Sequence, residues 1–189
     1  MTQAIIIVDM IRDNVYTGAH GMGDEARRIV PKLQELVRFG RQHGMKIVFA
    51  CDSFMPDDFF FQGKMQPHAL RGTDGVKVIE ELAPAPGDIV LEKRRFSAFM
   101  QTDLDITLRE AGVREVAVGG ISTQACVLVT AMDAICLDYR VTWLEDCCTS
   151  YPYSLHEQTI EVYRKFPLYP LLQIKTLEQF AEDSMLHRE

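Results

Sequence analysis

The sequence predicts an α/β fold, a three-layer α/β/α, Rossmann-like domain with a central, mostly parallel sheet of six strands. Short apolar runs rich in valine and isoleucine do not alternate with polar residues, which is typical of strands covered on both faces. Longer segments of helical periodicity separate these runs, and this alternation indicates parallel strands joined by right-handed crossovers. The 189 residues are 47% hydrophobic and 25% charged, so we expect a single globular domain over residues 1–189.

Six apolar runs are the candidate strands. They are residues 5–8, 46–50, 89–91, 115–120, 140–144 and 171–174. Helical periodicity fills four intervals between them. The first interval begins near residue 30. The other three span residues 101–111, 123–137 and 154–165. Pro31 is expected in the first turn of the first helix and Gly44 at its C-terminal cap. The irregular stretch 52–74 is long for a compact domain, and such loops are usually functional.

Composition excludes several classes of function. The formal net charge is −7, and no basic cluster offsets it, so we expect no nucleic-acid or membrane partner. No apolar run approaches the ~20 residues of a membrane span, and the N-terminus lacks the features of a signal peptide. The five cysteines form no CxxC pair. A reduced, cytoplasmic protein is therefore expected.

Reactive side chains follow three of the predicted strands. Asp9 follows the first strand, Lys93 the third, and Cys126 comes shortly after the fourth. Ligands of open parallel sheets bind at the carboxyl ends of the strands, so these positions favour a catalytic site. Taken singly, each residue has an ordinary alternative: a loop cap, a solvated charge and a small buried residue. Their conjunction makes the catalytic interpretation preferable.

Cys126 is the strongest of these candidates because it falls at the start of a helix. Ser122 or Thr123 is a suitable N-cap for that helix. A thiol in the first turn faces the positive end of the helix dipole, which favours the thiolate and lowers the thiol pKa. The free N–H groups of the same turn are suited to hold an oxyanion.

Three segments of the chain carry a family resemblance. They are Ile-Ile-Val-Asp-Met at 6–10, Glu-Lys-Arg-Arg-Phe-Ser-Ala-Phe at 92–99 and Gly-Ile-Ser-Thr-Gln-Ala-Cys-Val-Leu-Val-Thr-Ala-Met-Asp-Ala at 120–134. With them the chain resembles the isochorismatase-like cysteine hydrolase superfamily, which includes nicotinamidases and N-carbamoylsarcosine amidases. The resemblance implies a catalytic triad of Asp9, Lys93 and Cys126. It also implies a cis peptide bond between Ile121 and Ser122, and an oxyanion hole formed by the N–H groups of Ser122 and Cys126.

The resemblance also implies the chemistry. Cys126 would attack a carbonyl carbon, Asp9 would transfer the protons, and Lys93 would favour the charged forms of both. Isochorismatases proper act on a vinyl ether and do not need this nucleophile, so Cys126 favours C–N hydrolysis. We therefore expect a hydrolase of non-peptide C–N bonds, acting on a small linear amide or carbamoyl compound through a thioester. It would release ammonia or an amine and need no cofactor.

One family feature is altered. Nicotinamidases bind a metal through an Asp-x-His segment and a later His, which correspond here to Asp52, Phe54 and His68. An apolar ring cannot coordinate a metal, so we expect no catalytic metal, while Asp57 or Asp58 is left open as a substitute ligand. Two alternatives remain: a metal-dependent nicotinamidase with an altered ligand set, and a catalytically silent scaffold or binding protein.

The expected substrate-binding residues come from the long loop at residues 52–74 and from the segment at residues 92–99. They are Phe54, Phe59, Phe61 and Ser97. Packing in the core or at a subunit interface is an open alternative for the aromatic residues. Whether Arg94 or Arg95 binds the substrate is also open. We expect a homo-oligomer, either a dimer or a tetramer.

Overall fold

A single six-stranded sheet forms the centre of the computed structural model, which describes residues 2–186. Its strand order is β3-β2-β1-β4-β5-β6, and every neighbouring pair is parallel. The strands are β1 (Thr2–Val8), β2 (Lys46–Asp52), β3 (Ile89–Lys93), β4 (Val113–Ile121), β5 (Arg140–Thr149) and β6 (Leu172–Lys175). The predicted fold class is confirmed. Residues 1 and 187–189 of the predicted domain lie outside the described residues.

Helices cover both faces of the sheet. They are α1 (Arg12–Val15), α2 (Gly23–Gln42), α3 (Leu104–Glu110), α4 (Leu128–Cys136), α5 (Tyr153–Arg164) and α6 (Leu177–Leu186). Alternate residues of β1 point to two separate apolar clusters, one with α2 and α6 and the other with α3, α4 and α5. This two-sided burial explains why β1 is apolar throughout. Within residues 2–186, no helix has both the length and the apolarity to cross a membrane.

Two local expectations were wrong. Pro31 lies inside α2 rather than in its first turn, because Ala26 and Ile29 extend the buried face of the helix upstream. The packing of that face outweighs the hydrogen bond that proline cannot make. The fifth strand was expected to end at residue 144, but β5 continues to Thr149. It does so because Cys148 resumes pairing with Gly120 after a register shift that leaves the extra residues on β5.

Candidate active site

Asp9 directly follows β1, the strand flanked by β2 and β4 at the middle of the sheet. Its backbone is left-handed, with a φ of 55°, and its N–H donates to the carbonyl of Ala50 at 2.8 Å. Gly120 makes the close approach of β4 possible, because a Cβ there would lie 2.1 Å from the Val8 carbonyl oxygen. The backbone therefore directs the Asp9 side chain to the carboxyl edge of the sheet.

A buried lysine joins two carboxylates at this edge. The Nζ of Lys93, at the end of β3, lies 2.9 Å from Oδ2 of Asp9 and 2.5 Å from Oδ1 of Asp52. The N–H of Asp52 donates to the other oxygen of Asp9 at 2.7 Å. All three side chains are at least nine-tenths buried. The neighbouring strand ends thus bring together two of the predicted catalytic residues, Asp9 and Lys93.

The charges of this group are strongly coupled. Burial opposes the charged form of Lys93, but Asp52 and Asp9 outweigh burial and hold its pKa well above the ordinary value. Burial, reinforced by the Asp9 carboxylate, raises the pKa of Asp52 to about 7, although Lys93 acts in the opposite direction. The lysine therefore stays a cation, while Asp52 titrates near neutral pH.

Cys126 faces this ion pair from the turn that follows β4. Its Sγ and carboxylate oxygens of Asp9 and Asp52 all lie within 4.8 Å of one another. Burial, followed by the Asp9 carboxylate, raises the pKa of Cys126 well above that of an ordinary thiol, and Lys93 only partly offsets them. The expectation of a lowered pKa was therefore wrong, because burial beside an anion disfavours the thiolate. Burial and the Asp9 carboxylate thus both favour the protonated thiol, and a hydrogen bond to Asp9 acts in the same direction.

The cysteine turn is π-helical and spans Thr123–Val127. The side chain of Ser122 makes no capping hydrogen bond, so the expected N-cap is absent there. Thr123 is bonded to other elements instead: its hydroxyl donates to the Thr149 carbonyl at 3.0 Å and lies 2.8 Å from Nδ1 of His156. Nothing in the local sequence indicated this contact with α5, because 33 residues separate Thr123 from His156.

The peptide bond between Ile121 and Ser122 is cis, at the position that the family resemblance indicates. The Ser122 carbonyl accepts hydrogen bonds from the N–H groups of Ala125 and Val127. No residue in the described part of the chain accepts one from the Ser122 N–H. The turn therefore presents at least one free backbone donor beside the thiol.

A cavity of about 160 Å³ opens onto these groups. Asp9, Asp52, Cys126 and Ser122 are among the residues that line it. The remaining wall combines apolar and polar side chains, chiefly Met22, Met65, Phe96, Asn14, His20 and His68. Asn14 and His20 were not expected here from the sequence. Asn14 lies five residues beyond Asp9, and that proximity is the only sequence signal that pointed to it.

The four expected substrate-binding residues do not line this cavity within the described chain. Phe54 is fully buried behind it, with its ring centroid 5.4 Å from that of His68. Phe59 is 73% exposed, whereas Phe61 packs edge-on against Phe54. Ser97 is buried, and its hydroxyl accepts a hydrogen bond from the N–H of Phe99.

Arg94 and Arg95 both lie against the carboxylate of Asp58. Arg94 forms an ion pair with buried Asp58 at 2.5 Å, and Arg95 lies 3.7 Å from the same carboxylate. The Arg94 hydrogen bond lowers the pKa of Asp58. Asp58 therefore anchors the long loop to the segment that follows β3.

The residues of this site do not reproduce the metal ligands that the family resemblance assigns to nicotinamidases. Nδ1 of His68 lies 3.2 Å from Nε2 of His20 and 3.1 Å from the Gln66 carbonyl oxygen. Among residues 2–186, the one set of three potential ligand atoms within 4.8 Å is Asp9, Asp52 and Cys126. The ammonium of Lys93 already bonds to both of these carboxylates. These residues do not fit a three-ligand metal site.

Comparisons with known proteins agree with this architecture. Ureidoacrylate amidohydrolase RutB of Caulobacter segnis is 29% identical, covering 77% of this chain and 71% of that protein. An isochorismatase-like hydrolase from Alkaliphilus metalliredigens is 29% identical, with a TM-score of 0.88 over 97% of this chain and 100% of the other. N-carbamoylsarcosine amidase from Thermoplasma acidophilum is 31% identical, with a TM-score of 0.78 over 93% of this chain and 96% of the other.

One of these relatives is named an amidohydrolase and another an amidase, which supports a hydrolase. The family model of the isochorismatase domain matches residues 3–171, which is most of the chain. By fold and by sequence, the chain belongs to the isochorismatase family of hydrolases.

Proposed function

We propose that the protein is a cysteine-dependent amidohydrolase that cleaves a C–N bond of a small linear amide or carbamoyl compound. The observation that carries this proposal is the Cys126 thiol, which lines a cavity and lies beside the buried Asp9–Lys93 ion pair. A nucleophile, a proton acceptor and a fixed cation are the groups that acyl transfer requires. Ureidoacrylate amidohydrolase and N-carbamoylsarcosine amidase, both similar to this chain, support the class of substrate.

The raised thiol pKa defines the part that Asp9 plays. Because Cys126 is protonated in the free protein, the thiol proton passes to Asp9 as Sγ attacks the carbonyl carbon. The resulting oxyanion accepts a hydrogen bond from the free Ser122 N–H, with that of Cys126 as the second donor. Asp9 then protonates the leaving nitrogen, the C–N bond breaks, and a thioester remains on Cys126.

Hydrolysis of the thioester uses the same groups in reverse. Water gives its proton to Asp9 and attacks the thioester carbonyl, the C–S bond breaks, and the proton returns to the sulfur. Lys93 stays charged throughout, because two carboxylates hold its pKa high. It offsets the negative charge of Asp9 and of the developing thiolate in this buried site.

The volume of the cavity and the absence of a complete set of metal ligands limit the class of substrate. A volume of about 160 Å³ admits a small molecule only. The proposed reaction needs no metal, because Lys93 supplies the cation between Asp9 and Asp52. Nicotinamide is disfavoured, because Phe54 replaces the His that completes the metal site in nicotinamidases.

An ammonia-release assay tests the proposal. Purified protein is incubated with N-carbamoyl amino acids, short linear amides, nicotinamide and pyrazinamide, each with and without EDTA, and Cys126→Ala serves as the control. We expect release from a carbamoyl or linear amide that is insensitive to EDTA and absent in the variant. Preferred hydrolysis of nicotinamide that EDTA abolishes would overturn the proposal.

A further inference from the structure

Asn14 is a polar side chain in the cavity wall that the proposed mechanism does not use. It lies in α1 and is 7% exposed. Its Nδ2 donates to the main-chain carbonyl of Asp9 at 3.0 Å. Because a carbonyl only accepts, the side-chain atom facing it must be the nitrogen, and this fixes the orientation of the amide.

The other end of this amide is unpaired. No donor among residues 2–186 reaches Oδ1 of Asn14, and this oxygen is not sealed in the interior. This oxygen is an acceptor at the cavity surface with no partner in the described protein, so a bound group that donates a hydrogen bond gains from meeting it. The Asp9 oxygens, in contrast, already accept from Lys93 and from the Asp52 N–H. Asn14 thus offers a neutral acceptor beside the reaction centre.

We propose that Oδ1 of Asn14 accepts a hydrogen bond from an N–H of the scissile amide nitrogen and so selects substrates with an unsubstituted –NH₂ group. This inference rests on the proposed function. When Sγ adds to the carbonyl carbon, the nitrogen becomes pyramidal and its lone pair must turn toward protonated Asp9. An acceptor that holds one N–H bond fixes this rotation. The proton then moves from Asp9 to nitrogen, the C–N bond breaks, and ammonia leaves.

Asn14 is therefore a residue with two separable tasks. Its Nδ2 helps to hold the left-handed backbone of Asp9, and its Oδ1 would recognise the substrate. A loss of the first task slows every reaction at Cys126 alike. A loss of the second removes only the preference for an N–H donor, so selectivity is the informative measurement.

Alkylation with two probes of matched size measures this selectivity. Chloroacetamide carries –NH₂ where chloroacetone carries –CH₃, and both alkylate thiols at the same carbon. The rate at Cys126 is divided by the rate at exposed Cys136 in the same sample, which cancels intrinsic reactivity. The normalised rate in wild type should be about three- to tenfold higher for chloroacetamide, the value of one neutral hydrogen bond.

Two variants separate the tasks of Asn14. Asn14→Leu removes the acceptor and should reduce the preference to about one. Asn14→Asp keeps an acceptor but loses the donor to Asp9, so it should retain a preference for chloroacetamide. Equal preferences in wild type and Asn14→Leu, or a lost preference in Asn14→Asp, would overturn this inference alone. A wild-type Cys126 that neither probe labels would overturn the proposed function as well.

Discussion

Asp9→Asn and Lys93→Met should move the pH midpoint of Cys126 alkylation in opposite directions. Because an Asp9 oxygen lies within 4.8 Å of Sγ, the carboxylate disfavours the thiolate by about 3.5 kcal/mol at an effective dielectric constant of ~20. Asp9→Asn should therefore move the midpoint to lower pH.

The opposite shift is expected for Lys93→Met. Nζ of Lys93 lies 2.9 Å from Asp9 and hence within about 10 Å of Sγ, where the same dielectric constant gives about 1.7 kcal/mol. The variant should raise the midpoint by roughly one unit or more. Lys93→Met should also be destabilised, by about 3–5 kcal/mol, since it leaves two buried carboxylates without their cation.

Iodoacetamide labelling at increasing pH, followed by mass spectrometry of the Cys126 peptide, shows in which direction each variant moves the alkylation profile relative to wild type. Exposed Cys136 is the internal control and should not shift. Turnover of Asp9→Asn should fall ~10²–10⁴-fold, the usual effect of removing a positioned base. Shifts in the same direction, or a Lys93→Met enzyme with an unchanged midpoint and normal turnover, would refute the electrostatic coupling of the three residues.

Three further predictions concern the metal, Asp52 and Gly120. Extensive dialysis against EDTA should leave turnover unchanged, and elemental analysis should find well under one equivalent of metal; stoichiometric metal with lost activity would make Asp52 and His68 ligands. The folded-state pKa of Asp52, raised from 3.8 to about 7, means that the folded chain binds this proton more tightly than the unfolded chain. Its contribution to stability therefore falls as pH rises between these values. Asp52→Asn should gain stability relative to wild type over that interval, and a constant difference in urea unfolding at pH 4 and pH 8 would contradict this. Gly120→Ala should lower the melting temperature by at least about 5 °C, because the φ of residue 120 is 115° and the new Cβ would meet the Val8 carbonyl. An unchanged melting temperature would mean that β1 and β4 can separate.

The sequence predicted the sheet and the places of its six strands, although not the end of β5, because the strands follow from local pattern. Continuous apolar runs identify strands covered on two faces, and parallel topology then brings their carboxyl ends to one edge. That rule placed Asp9 and Lys93 in the same region before any distance was known. The catalytic roles of these residues stay predictions, whereas their proximity is a property of the fold.

What the sequence could not predict depends on contacts between distant segments. The dipole of its own helix would lower the pKa of Cys126. Burial and the Asp9 carboxylate, which comes from a distant part of the chain, raise this pKa instead. The contact between Thr123 and His156 joins the cysteine turn to α5, and no periodicity signals it. The aromatic residues of the long loop were expected at the substrate, but Phe54 packs behind the cavity wall instead.

A covalent intermediate on Cys126 tests the central claim most directly. The enzyme is mixed with a substrate found in the ammonia-release assay, quenched in acid within a turnover, digested, and examined by mass spectrometry. We predict that the Cys126 peptide gains the mass of the substrate's acyl group, and that Cys126→Ala folds normally but forms no adduct and releases no ammonia. Undiminished ammonia release by Cys126→Ala, or an adduct on another residue, would contradict the account.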